Sequence, residues 1–253
     1  KKMANFFNSK ELLIDGIRKL KSSNIPTPEV DVRILLSFAI NYVNTIYIHN
    51  DITISKKERI KFYNFLDERI KGKPVSRIVG SRNFWKKNFL INKYTLDPRP
   101  ESEVIIDVVT KTYIDSNDHF QILDLGSGSG CIGLSIIDDL KNASLLSLDV
   151  CKKALDQVNI NANRLNLCKQ LHCAHINWFE EKWVEKTNLI IQKEKIFFKN
   201  KFDIIVCNPP YIKSSEIDKL QIEVKNYDPL VSLNGGKDGC DSYRAIFKDL
   251  RKL

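Results

Sequence analysis

Apolar positions fall along this chain in two rhythms, and the change from one to the other divides it. Over residues 5–21, Leu12, Leu13, Ile17 and Leu20 recur at helical spacing. The stretch Ser22 to Pro28, with two prolines, ends that helix. A second helix is expected from Pro28 to Tyr42, with Val32, Leu35, Leu36 and Ala39 on one side. Ser55 followed by Glu58 has the form of a capping box. It opens a third helix through Ile60, Phe62, Phe65, Leu66 and Ile70, which Gly72-Lys73-Pro74 stops. Residues 1–73 read as a small helical domain. Residues 74–97 carry β-type residues in short groups (Val75, Ile78, Val79; Phe84, Trp85; Phe89, Leu90, Ile91) and read as a β-hairpin linker.

Beyond this the pattern alternates. Two prolines stiffen Asp97-Pro98-Arg99-Pro100-Glu101-Ser102-Glu103 ahead of a helix over 103–113. Strands are expected at 121–125, 144–149, 170–175 and 202–206, with helices between the first three at 131–141 and 152–165. That alternation predicts an α/β domain over 98–253, a parallel sheet with helices on both faces. Residues 176–201 are charged and show no period. A last helix is expected over 241–252, with no strand after it. A sheet ending on 202–206 would leave an apolar edge open, so C-terminal strands read as missing.

Composition narrows the class. With 43% hydrophobic and 28% charged residues the chain is ordinary globular protein. No apolar run approaches the roughly 20 residues that span a bilayer, and Lys1-Lys2-Met3-Ala4-Asn5 leads into a polar helix pattern without an apolar signal core. A cytoplasmic monomer without membrane attachment is the expectation. The six cysteines form no C-x-x-C pair, which suits reduced thiols. Cys168, His172, Cys173 and His175 lie close in sequence but fit no zinc spacing, and adjacent residues of an extended chain point to opposite faces, so no metal is expected. The net charge is +9: +6 in residues 1–73, +4 in 74–97 and −1 in 98–253. The basic first segment either faces an anionic partner or is a lysine-rich solvated surface.

Two motifs carry chemistry. The first expected strand runs into Asp124-Leu125-Gly126-Ser127-Gly128-Ser129-Gly130, followed by Gly133. Such glycines let the backbone turn tightly and approach a ligand, and Asp149 ends the next strand where a ribose-binding acid belongs. This much suits a nicotinamide enzyme as well as a methyltransferase. Asp124 separates them: a carboxylate there would repel a pyrophosphate but suits the ammonium and sulfonium of S-adenosylmethionine. The ligand carboxylate would sit at the helix N-terminus after Gly130.

The second motif, Asn208-Pro209-Pro210-Tyr211, follows the fourth strand. In a doubly wound sheet this strand lies beside the first, so the motif faces the same crevice. The prolines fix the loop and leave carbonyl oxygens free. The Asn208 side-chain oxygen and the Pro209 carbonyl can each accept one N–H of an amide or amino substrate, and Tyr211 can pack on its planar group.

With both motifs in place, the chain resembles the release-factor glutamine N5-methyltransferase family over nearly its whole length. The resemblance extends to Lys73-Pro74-Val75 with Ile78 and Gly80, Phe84-Trp85, Pro98-Arg99-Pro100-Glu101-Ser102-Glu103, and Gly235-Gly236-Lys237-Asp238-Gly239 with Tyr243. It implies a Rossmann-like S-adenosylmethionine-dependent methyltransferase domain preceded by a small helical bundle and a β-hairpin linker. It implies Asp124, Gly126, Ser127, Gly128, Ser129, Gly130, Asp149, Trp178 and Asn208 at the cofactor. Asn208, Pro209, Pro210 and Tyr211 are the implied catalytic residues and, with Arg99 and Glu103, would bind the substrate, the glutamine of the Gly-Gly-Gln loop of peptide chain release factors; residues 98–103 would help close the site. The basic first domain would dock the release factor. Three features depart from the family pattern: Asp97 replaces an apolar residue, His175-Ile176-Asn177 leads into Trp178, and the last strands lack a counterpart.

Other readings are an adenine-N6 methyltransferase of nucleic acid, which shares Asn-Pro-Pro-Tyr but needs a target-recognition region that nothing after residue 213 supplies, and a truncated, non-catalytic remnant. A nicotinamide oxidoreductase leaves residues 208–211 unexplained. No stable nucleic-acid binding is expected.

Overall fold

The computed structural model describes residues 6–194 and 201–252. The expectations for Lys1 to Asn5, for the end of the patternless segment at 195–200 and for the terminal Leu253 lie outside them. The chain divides into two compact units, Lys1–Gly80 and Ser81–Leu253.

The first unit is built from β1 (Phe6–Asn8), α1 (Ser9–Ser22), α2 (Pro28–Ala39), β2 (Thr53–Ser55), α3 (Lys56–Ile70) and α4 (Val75–Val79). Leu12, Leu13, Leu20, Val32, Leu35, Leu36, Phe62 and Leu66 form its buried core, the faces that the helical spacing marks out. Ser55 and Glu58 do form a capping box: the carboxylate accepts the Ser55 N–H at 2.8 Å and the serine hydroxyl accepts the Glu58 N–H. Two details differ from the sequence reading. α2 stops at Ala39, and Asn41 takes φ +53, a left-handed turn conformation that asparagine tolerates. Residues 75–79 form a helix: Val75, Ile78 and Val79 sit at i, i+3, i+4 and pack on the unit's core, and Gly80 at φ +76 ends the turn.

The second unit opens with a hairpin, β3 (Ser81–Phe84) and β4 (Lys87–Leu90), whose two-residue turn puts Trp85 at φ +54. Then follow α5 (Glu103–Tyr113), β5 (Phe120–Leu125), α6 (Cys131–Asp139), β6 (Ala143–Asp149), α7 (Lys152–Leu165), β7 (Leu171–His175), α8 (Trp183–Glu194), β8 (Ile204–Cys207), α9 (Ile222–Lys225) and α10 (Asp241–Asp249). The four later strands are parallel, in the order β7-β6-β5-β8. Both faces of this sheet are covered. Phe120, Ile122 and Leu145 pack with α5, α6 and α7, while Leu123, Leu125, Leu146 and Leu148 pack with Trp183 and Val184 of α8 and Ile246 of α10. α8 fills part of the segment that showed no period, because its charged residues mask the few buried anchors. Among the described residues β8 is an edge of the sheet.

In the first unit Arg69 Nε donates to Asp31 Oδ2 at 2.6 Å, with both side chains buried. The Asp31 carboxylate also accepts the Thr27 hydroxyl at 2.9 Å. Removing one partner of a buried pair strands the other charge in a low-dielectric site. Asp31→Ala is therefore expected to destabilise this unit by about 3–5 kcal/mol, read as accelerated amide exchange in α1–α3; unchanged exchange would show that the pair contributes nothing.

Candidate active site

The glycine loop is folded against the end of β6. Gly126 N–H and Ser127 N–H both donate to the Leu148 carbonyl, at 2.8 and 3.0 Å, and Gly130 N–H donates to Ser127 O at 2.7 Å. Gly126 lies at φ +75, and a Cβ there would stand 3.0 Å from the Trp178 ring, so a side chain would be both strained and crowded. Trp178 is thus seated on the loop by the absence of a side chain at 126. Gly133, inside α6, meets the sheet closely: a Cβ would come 2.8 Å from Asp124 Oδ2 and from Leu145.

Asp149 organises the second half of the loop. Its Oδ2 accepts the Gly128 N–H at 2.9 Å and its Oδ1 the Cys151 N–H at 2.8 Å. Burial raises its pKa above the ordinary carboxylate value, against the lowering effect of those two N–H groups. Asp124 lies deeper. Burial, with a smaller push from Asp149 and partial relief from the Gly133 N–H, lifts its pKa from 3.8 to about 7. Its Oδ2 has no hydrogen-bond partner among the described residues.

Asn208 stands where the chain leaves β8. Leu125 pairs with Cys207 across the β5–β8 ladder, so Gly126 and Asn208 emerge side by side. The Asn208 Nδ2 donates to Ser102 Oγ at 3.1 Å, and its Oδ1 carries no hydrogen bond among the described residues. The segment Gly235 to Gly239 backs this motif. A Cβ on Gly235 would be 2.7 Å from Tyr211 Cα and 2.8 Å from Pro210 O, and Gly235 N–H donates to Ile212 O at 2.8 Å. Only glycine permits that backbone approach.

A cavity of about 490 Å³ joins these parts. Of the sequence-derived candidates, Gly126, Ser127, Gly128, Ser129, Asp149, Trp178, Asn208, Pro210 and Arg99 line it. Asp124, Gly130, Pro209, Tyr211 and Glu103 do not. Asp124 is buried at the end of β5, Gly130 packs against Leu134 and Val158, Pro209 is buried, Tyr211 is exposed outside the lining, and the Glu103 carboxylate accepts the Trp85 N–H at 2.7 Å, bracing the hairpin turn.

Sequence reasoning missed several contributors. Asp228, buried, accepts the Asp97 N–H at 3.2 Å and forms an ion pair with Arg99, holding the Pro98–Pro100 segment to the loop that brings Leu230, Val231, Ser232 and Asn234 onto the cavity wall. Asn161 of α7 acts as a strand partner for Leu90, accepting its N–H and donating to its carbonyl, both at 2.9 Å, and donates again to Ser129 O at 2.9 Å. Neither residue belongs to a recognisable motif; an Asp-Pro after an aromatic (Tyr227-Asp228-Pro229) was the available signal.

Among the described residues no group of three or more His, Cys, Asp or Glu side chains is placed to hold a metal ion. His175 Nε2 bonds instead to Val150 O at 2.8 Å. No helix among them is long and apolar enough to cross a membrane. The lining fits S-adenosylmethionine: Asp149 offers carboxylate oxygens to a ribose diol, and Ser127 Oγ and Trp178 Nε1 are buried polar atoms that lack a partner among the described residues.

Comparison with known proteins agrees with this geometry. The model of the PrmC N-terminal domain matches residues 11–80 and that of the methyltransferase small domain matches residues 100–224. The bifunctional methyltransferase of Rickettsia typhi is 32% identical over 265 residues, covering 98% of this chain and 48% of that protein, so the chain spans about half the length of that relative. The release factor glutamine methyltransferase of Agrobacterium fabrum is 32% identical over 241 residues, covering 94% of this chain and 78% of that protein. Its counterpart in Caulobacter vibrioides is 34% identical, with 93% and 76% covered. An S-adenosylmethionine-dependent methyltransferase fold, a matching N-terminal domain and this identity across most of two such proteins place the chain in the release factor glutamine methyltransferase family.

Proposed function

We propose that this chain transfers a methyl group from S-adenosylmethionine to the side-chain amide nitrogen of the glutamine in the Gly-Gly-Gln loop of peptide chain release factors, acting as a monomer in the cytoplasm. The observation that carries the reading is the Asn208 amide, held at Nδ2 with Oδ1 open, in a cavity shared with the glycine loop. In this reading residues 1–73 dock the release factor, 74–97 link, and 98–253 carry out the transfer.

When bound, S-adenosylmethionine supplies an electrophilic methyl group on a sulfonium sulfur. Asp149 would hold its ribose, and Ser127 and Trp178 its remaining polar edges, while Asp124, buried outside the cavity lining, would favour its ammonium through the field of its carboxylate and not by contact. The residues of the second motif do the rest. An amide nitrogen is a weak nucleophile because its lone pair is delocalised. Asn208 Oδ1 and the Pro209 carbonyl would accept its two N–H groups, and this fixes the nitrogen in line for attack. Tyr211 and the exposed Leu230 and Val231 offer the glutamine's loop an apolar and aromatic rim.

The test is incubation of the chain with labelled S-adenosylmethionine and a release factor, beside a copy of the factor whose loop glutamine is alanine. Label in the intact factor alone supports the reading; label in both, or in neither while the cofactor binds, overturns it. In the same assay Asn208→Ala is expected to lower kcat/KM about 100-fold or more. Asp228→Ala releases Arg99 and the 98–100 segment, and is expected to raise KM for the release factor about tenfold with a smaller change in kcat.

Asp124 predicts a pH signature. Its folded-state pKa, about 7, exceeds the ordinary 3.8. The folded state therefore holds a proton that the unfolded chain has lost, so this group's contribution to stability falls as pH rises from about 4 to about 7. Asp124→Asn should flatten that fall in cofactor-free Tm. An ammonium beside Asp124 favours the carboxylate, so wild-type cofactor affinity should increase through about pH 7 and the variant's should not. Parallel profiles for the two proteins would remove Asp124 from the ammonium site.

A further inference from the structure

We propose that Asn161 is a positioning residue for the cofactor, fixing the plane of the Ser129–Gly130 peptide and with it the wall that the glycine loop presents to the cavity; the inference needs the cofactor but not the release factor. The loop does not hold its own shape. Gly128 and Gly130 flank Ser129 at φ +55 and +79, and glycine turns through such conformations at little steric cost. Groups outside the loop must therefore choose the peptide planes between them. Asp149 does so at the Gly128 N–H. At the Ser129 carbonyl the partner is Asn161 of α7, whose Nδ2 donates to it at 2.9 Å.

Backbone groups alone set the polarity of that contact. Asn161 Oδ1 accepts the Leu90 N–H, and Nδ2 donates to the Leu90 carbonyl as well as to Ser129 O, all at 2.9 Å. A backbone N–H only donates and a carbonyl only accepts. A reversed amide would set donor against donor and its oxygen against two carbonyls, so one orientation survives, with both of its hydrogens used. The other edge of the same peptide is held too, because Gly130 N–H donates to Ser127 O at 2.7 Å. Turning the plane over would bring Ser129 O against Ser127 O and Gly130 N–H against the Asn161 NH2. Val158, one turn earlier on α7, fills the space beside Gly130, where a Cβ would stand 2.9 Å from its Cγ1. Ser129 lines the cavity with Gly128, Cys131 and Ile132, so the plane that Asn161 selects belongs to the wall the cofactor meets.

The test measures Kd for S-adenosylhomocysteine, the demethylated cofactor, by calorimetry on the full chain, well below each variant's Tm. Asn161→Asp keeps the acceptor for the Leu90 N–H and removes both donors. It should raise Kd about 10- to 100-fold and speed hydrogen exchange at the Gly130 N–H. Two further variants separate positioning from stability. Leu167→Ala opens a cavity just past the end of α7 and lowers Tm, and Arg164→Ala removes a bond from α7 to the hairpin at Asn88 O. Both should leave Kd and Gly130 exchange near wild type. The wild type gives a readout that no variant's folding affects: S-adenosylhomocysteine should slow exchange of the Asn161 side-chain NH2 and of the Gly130 N–H. A Kd for Asn161→Asp no higher than for Leu167→Ala, or wild-type exchange at these two groups that ignores the ligand, would overturn the proposal.

Discussion

At the C-terminal edge of the sheet, Leu125 of β5 lies opposite Cys207 of β8, and the chain leaves the two strands at neighbouring points, into Gly126 and into Asn208. From β5 the chain runs through α6 to β6 and on to β7 on one side, while β8 joins on the other. The loops after β5 and β8 therefore diverge and open a crevice, as they must wherever strand order reverses in an open parallel sheet. Everything chemical depends on this one pairing. A slip of a single residue in the β8 register would turn the apolar side chains of β8 to the other face and carry Asn208 away from the glycine loop.

The sheet that makes this possible is apolar on both faces, so every polar group at its end is held in a low-dielectric setting. Asp149 is stabilised there by two backbone N–H groups that also shape the loop, so one carboxylate both folds the turn and presents acceptor oxygens to the cavity. Asp124 has far less support, and its raised pKa is the measure of that deficit. A buried carboxylate without adequate partners is costly in the free protein, and the cost falls when a cation arrives. The same burial pushes the Cys131 and Cys173 thiols up to about 12 and keeps Cys207 protonated.

The larger elements were legible because their signals are local. Apolar runs such as Ile204 to Cys207, bounded by Asn208-Pro209-Pro210, mark strands, and Lys152 to Leu165 shows a helical stripe that survives into the fold as buried Ala154, Leu155, Val158 and Ala162. The β1–β2 pair of three-residue strands was invisible to period, and 75–79 misled because β-branched residues also fit one face of a short helix once Pro74 and Gly80 bound it. The site divides in the same way. Glycine, Asp149 and Asn208 announce themselves through motif spacing. Ser102, Asp228 and Asn161 act through contacts spanning 71 to 131 residues, and a single hydroxyl, carboxylate or amide in a loop or helix carries no mark of a partner that distant.

The chemistry of the motif favours a neutral acceptor at 208. In the proposed reaction the nitrogen gains a bond to carbon and becomes strongly acidic, so its proton leaves without a dedicated base. A carboxylate at this position would add an acid to a buried site that already raises the pKa of Asp124 and Asp149, and would itself be driven towards protonation, losing the acceptor that the substrate N–H requires. Cys207, the adjacent thiol, is held protonated by burial and cannot serve as a base either. The amide of Asn208 avoids both problems: its oxygen accepts at any pH, and its nitrogen offers a handle by which the surrounding protein can hold it. That handle is what Ser102 takes. The rigidity of Pro209-Pro210 and the backbone contact from Gly235 serve the same end, because a weak nucleophile reacts only if its geometry is set before the methyl group is in reach.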